Sequence, residues 1–229
     1  MDDTLTASMP AHTGRRARWG AVSHRTLLDA LAASVPVSPY DWADAALVTG
    51  LLRPVTWDRH GLWSSIASTT HAALAARTAR VVRPVVSDVT TVRQAARRGG
   101  RERAAFEVLV PTARLAAATG LSEDLCASLT GALGHRAPEA VALARTVWRT
   151  ALLVASSDRR RAQLRVRVPD SPLAGVLVRA GELLDVEARH HRTRDRVHFV
   201  TVDDPTDAVA VLRAVGAGPR AEAWVRGRC

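Results

Sequence analysis

One feature narrows the fold more than any other. A single order of structural elements occurs twice in the chain, at an offset of roughly a hundred residues. Leu51-Leu52, Asp58-Arg59 and Leu62 in the first occurrence are answered by Leu152-Leu153, Asp158-Arg159 and Leu164 in the second. Phe106 with Pro111-Thr112 is answered by Phe199 with Pro205-Thr206. Chance matching among Ala, Val and Leu would not also align turn residues and the order of strands.

The hydrophobic periods give the elements. In the first occurrence Ser23 caps a short helix with Leu27, Leu28 and Leu31, and Ser38-Pro39-Tyr40-Asp41 starts a second helix that runs to Leu52. Pro54 stops it. A turn at Asp58–Gly61 leads to a strand over Leu62–Ile66, and Thr69 or Thr70 caps a helix carrying Leu74, Ala75, Val81 and Val82. A basic loop then precedes a strand over Phe106–Val110, and a helix opened by Pro111-Thr112 is closed by Gly120. In the second occurrence a helix starts at Pro138-Glu139, and a turn at Ser156–Arg159 leads to a strand over Leu164–Val168. A helix from Ser171-Pro172, a strand over Val197–Val202 and a helix from Pro205-Thr206 to Val215 follow, closed by Gly216.

An α-β-β-α unit in duplicate implies an α/β (α+β) molecule with pseudo-twofold symmetry. Its two antiparallel half-sheets lie side by side with helices on one face. The expected divisions are a disordered basic tail at 1–20, a first half at 21–135 and a second half at 136–229. The tail holds Pro10, Gly14 and Arg15-Arg16-Ala17-Arg18 without an apolar period.

Charge narrows the partners. Basic residues exceed acidic ones by 32 − 22 = 10, and every one of them is Arg. A GC-rich codon pool explains Arg in place of Lys but not the excess, which attracts polyanions, nucleic acid foremost. The acidic start Met1-Asp2-Asp3 is followed by no apolar signal segment, and the apolar runs are too short to span a membrane. A cytoplasmic, nucleoid-associated location is therefore expected.

The strand Leu164–Val168 shows where DNA would sit. Leu164, Val166 and Val168 point to one face, so Arg165 and Arg167 point to the other. Arg159, Arg160 and Arg161 lead into this strand, and His190, His191, Arg192, Arg194 and Arg196 lead into its neighbour. With helices on the apolar face, the arginines line an open sheet suited to phosphate contacts and to the forked contact with guanine. Ordinary solvation of Arg165 and Arg167 accounts for the pattern equally well. The first half is a weaker cradle, with Trp63, Ser64 and Glu107 where the second has Arg. Arg97, Arg98, Arg101 and Arg103 in its basic loop partly compensate.

At this point the chain resembles a family, the WhiA-type regulators of bacterial sporulation and cell division. The segment from Val147 to Ala155 resembles the second signature helix of a LAGLIDADG homing-endonuclease core. Ala117–Leu121, Leu212–Ala217 and Ala223-Trp224 add to the likeness, which spans Ser23 to Arg228 in preserved order. The resemblance implies a duplicated LAGLIDADG-like fold and a role in transcription regulation. The family's C-terminal helix-turn-helix domain is expected to be missing, and the Gly-rich ends of the signature helices are replaced by Leu52–Val55 and Val154–Ser156.

Catalysis and cofactors are not expected. LAGLIDADG nucleases hold divalent metal on an acid at the end of each signature helix. Arg53, Pro54, Val154 and Ala155 stand at those ends, and Asp58 and Asp158 read as turn residues. Cys126 and Cys229 stand alone, and the adjacent His190 and His191 point to opposite sides of an extended segment. Two readings remain. One is a regulator that binds double-stranded DNA without cutting it. The other is a module that docks on a sigma factor, RNA polymerase or another regulator such as a full-length relative, with Trp57 and Trp63 as anchors.

Overall fold

A computed structural model describes residues 40–51, 55–56, 60–98, 101–134, 137–155, 164–217 and 221. The basic tail, the helix expected from Ser23, and the turns with Asp58 and Asp158 lie outside the described residues.

The first half contains α1 (Asp41–Gly50), β1 (Val55–Thr56), β2 (Trp63–Thr69), α2 (Ala72–Val82), β3 (Thr90–Arg98), β4 (Arg101–Pro111) and α3 (Leu115–Ala132). The second contains α4 (Pro138–Ala155), β5 (Leu164–Val168), α5 (Ser171–Leu183), β6 (Ala188–Arg192), β7 (His198–Val202) and α6 (Pro205–Ala214). The duplication is real: the order α-β-α-β-β-α recurs, with β1 as an added short edge. Strand orders are β1-β2-β4-β3 and β5-β7-β6, antiparallel throughout.

Three expectations need correction. β3 and β6 were not anticipated, because Thr90–Arg98 and Ala188–Arg192 are too polar to show an alternating apolar face. The basic segment around Arg97–Arg103 is consequently no loop: Arg97 and Arg98 end β3, and Arg101 and Arg103 begin β4, with Arg97 opposite Glu102 and Arg98 opposite Arg101. Nor does Gly120 close its helix, which continues to Ala132. One mid-helix glycine costs about 1 kcal/mol. The packing of α3 against α1 offsets that.

The two halves share one core. In α4 the buried positions Ala140, Leu143, Ala144, Val147, Trp148, Ala151 and Leu152 follow the helical period. α1 behaves differently. Ala43 through Thr49 are all buried, because α2, α3, α4 and β2 surround the helix. α5 is capped by Asp170, whose side chain accepts from the Leu173 amide, and α6 by Asp204, which accepts from the Thr206 and Asp207 amides.

Each sheet turns one face to the helices. Leu164, Val166, Val168, Val200 and Val202 fill that face of the second sheet, and Phe106, Val108 and Val110 that of the first. The opposite face of each sheet is partly covered: Leu109 and Thr201 on it are buried, while Arg167, Arg189 and His191 are exposed.

Candidate nucleic-acid interface

β7 is the central strand of the second sheet, and its register decides which side chains share a face. Arg165 and Arg189 both lie opposite Thr201, and Arg167 and His191 both lie opposite Phe199. All six residues therefore occupy the face turned away from the helices. The Arg165 guanidinium carbon stands 3.6 Å from the centroid of the Phe199 ring, a cation–π stack that holds the fork in place. Arg167 is exposed. Arg189 donates to Glu187 two residues earlier, which steadies its charge and raises its pKa. His191 Nε2 lies 2.9 Å from the Thr201 hydroxyl.

Of the arginines expected from sequence, Arg165 and Arg167 come together here. Arg159, Arg160 and Arg161 lie outside the described residues. Arg192 falls on the other side of the sheet, opposite His198, while Arg194 and Arg196 occupy the β6–β7 turn and are exposed. Arg196 has a positive φ of 58°. Arg97, Arg98, Arg101 and Arg103 belong to the β3–β4 hairpin of the other sheet. Arg189 was missed. The segment Ala188-Arg189-His190-His191 has no apolar alternation and reads as a strand only once Ala188 is known to be buried.

The adjacent histidines do diverge. His190 points to the helix side and reaches His198, with Nε2 and Nδ1 2.9 Å apart and the rings stacked at 5.1 Å. Burial, with the neighbouring His198 and His191, holds the His190 pKa below its ordinary value.

The open face of the first sheet holds a carboxylate, Glu107, on the side of β4 that the register also gives to Arg101 and Arg103. Ser64 is not on it: that residue is buried, its hydroxyl 3.0 Å from that of Thr112. A register shift between Ser65 and Ala67 places Ser65 and Ser68 on the open face instead. Both donate to Glu107, at 2.5 and 2.6 Å.

The described ends of the two signature-like helices hold Gly50 and Leu51 on α1 and Val154 on α4. Arg53, Pro54, Asp58 and Asp158 are outside the described residues, and no group of three or more metal-ligating side chains occurs among those described. No helix among them is long and apolar enough to cross a membrane.

No protein-family model matches the chain, and no curated protein matches it by sequence. The fold does have solved counterparts. The chain is similar to full-length DUF199/WhiA from Thermatoga maritima, with a TM-score of 0.54 at 14% identity over 90% of this chain. It spans 65% of the length of that protein. It is also similar to the N-terminal LAGLIDADG domain of DUF199/WhiA, with a TM-score of 0.52 at 13% identity over 86% of this chain and 91% of the other. The fold is a WhiA-like, pseudo-twofold LAGLIDADG fold.

Proposed function

We propose that the chain is a non-catalytic regulator that binds double-stranded DNA through the open faces of its sheets, chiefly the second. The carrying observation is the shared face of Arg165, Arg167, Arg189 and His191 around Phe199. Guanidinium groups on a sheet opposite its helices meet phosphates and guanine edges at once. The excess of ten positive charges draws the duplex in. The β3–β4 hairpin, with Arg97, Arg98, Arg101 and Arg103, and the segment with Arg159, Arg160 and Arg161 extend the contact along the backbone. The structural likeness to WhiA and the sequence resemblance support a role in transcription regulation, in sporulation or division, within the nucleoid.

Binding of this kind is salt-dependent. With the phosphates met by Arg165, Arg167 and Arg189 alone, the affinity for duplex DNA falls with a log–log slope of about −3 against salt concentration, and the further arginines make it steeper. Fluorescence anisotropy between low and moderate salt measures it. A flat response contradicts the DNA reading and favours an apolar docking surface for sigma factor, RNA polymerase or another regulator. Leu62, 64% exposed beside Trp63, is the apolar residue that would begin such a surface.

A further inference from the structure

The first sheet differs from the second in holding a carboxylate between two serines, and the difference bears on which sequence is bound. Glu107 sits on β4 with Ser68 and Val92 as its register partners, on the side away from the core residues Phe106, Val108 and Val110. Each carboxylate oxygen takes one serine hydroxyl, Oε1 from Ser68 and Oε2 from Ser65. No cation pairs with Glu107 among the described residues. The group is thus fixed in orientation by two neutral donors.

We propose that Glu107 is a base-reading residue that accepts a hydrogen bond from the exocyclic amine of a cytosine in the major groove. The inference rests on the DNA-binding reading above and specifies its sequence preference. A carboxylate offers about four acceptor positions, of which the serines use two. It repels phosphates, guanine O6 and N7, and thymine O4, all of which are acceptors. Adenine presents an amine, but next to the N7 acceptor. The cytosine amine has an acceptor on one side only, O6 of its paired guanine, whereas the adenine amine lies between N7 and O4 of its paired thymine, so cytosine meets the carboxylate with the least repulsion. Holding the side chain in advance removes the cost of ordering it on binding. The second sheet offers guanidinium donors at the corresponding face, which suit guanine. A molecule with twofold pseudo-symmetry therefore reads a site that is not a palindrome.

The test is selection from a randomised duplex pool by three proteins: the parent, Glu107→Gln, and Ser65→Ala with Ser68→Ala. Selected sites are sequenced, and affinities for single-base variants are then measured by anisotropy. The parent is expected to require cytosine at one position, where each other base weakens binding about fivefold or more. Glu107→Gln loses that requirement while still binding DNA. The double serine variant, which keeps the carboxylate but frees it, shows a reduced preference at the same position. If the parent binds and both variants select the same sequences as the parent, the assignment of Glu107 is wrong while DNA binding stands. If the parent binds no duplex at all, the assignment and the DNA reading fall together.

Discussion

Thr150 on α4 donates its hydroxyl proton to the Asp44 carboxylate on α1, across the contact that joins the two halves. The same carboxylate takes the Arg77 guanidinium from α2 at 2.7 Å, and Asp44 is only 2% exposed. Arg149, half-buried nearby, has its pKa lowered by desolvation, an effect that Asp44 opposes. A carboxylate in the middle of the buried run Ala43–Thr49 persists because two helices, α2 and α4, supply its partners.

Removing that charge should therefore uncouple the halves. Asp44→Ala takes the nearer carboxylate from the buried Arg77 guanidinium, which keeps Asp41 at 3.5 Å, and takes the acceptor from the Thr150 hydroxyl; it should destabilise the fold by about 3 kcal/mol. Thr150→Val removes one hydrogen bond to a charged group and should cost about 1.5–3 kcal/mol. Urea unfolding reads both. A loss under 1 kcal/mol for Asp44→Ala would show that the cluster adds nothing to stability.

The second sheet depends on a close approach behind it. A Cβ on Gly181 would stand 2.9 Å from Ala188 Cβ and 3.3 Å from the Val186 carbonyl oxygen. Here α5 passes so close to the start of β6 that only glycine fits. Gly181→Ala gains up to about 1 kcal/mol of helix propensity but forces a shift that costs about 1–3 kcal/mol. Net destabilisation is expected, relieved by adding Ala188→Gly. Thermal unfolding of the single and double variants checks this, and an equal loss in both would rule out the steric account.

Much of this architecture could be read from the chain. Leu164–Val168 announced itself by strict alternation, and α4 by the helical spacing of Leu143, Val147 and Leu152. The signals failed where side chains face away from the core. Arg189, His190, His191 and Arg192 have no apolar alternation, so β6 looked like a loop, and Arg192 was placed with Arg165 although the pleat puts it opposite. Ser64 went to the wrong face as well, because a polar residue at a core position gives no hydrophobic signal. Gly120 looked like a helix end because propensity alone cannot reveal that α1 packs behind it.

Acid should weaken the second sheet. The His190 pKa is depressed by burial and by His198 and His191, so the fold favours its neutral form. The corresponding stability is fully present above the unfolded value of about 6.5 and is lost as pH falls through the lower folded value. His190→Asn should flatten that part of the profile. Unfolding midpoints across pH 8 to 5 test it, and an unchanged slope in the variant would remove His190 as the cause.

The central claim is that the open face of the second sheet holds DNA. Arg165→Ala with Arg167→Ala removes two charges from that face, while Arg83→Ala with Arg145→Ala removes two exposed charges, one just past the end of α2 and one on α4. Anisotropy titrations of labelled duplex at low and moderate salt compare both with the parent. The account predicts that the sheet variant loses most of its affinity and about two units of salt slope, while the helix variant stays close to the parent. Equal losses in the two variants would contradict it, because binding would then follow total charge and not the sheet.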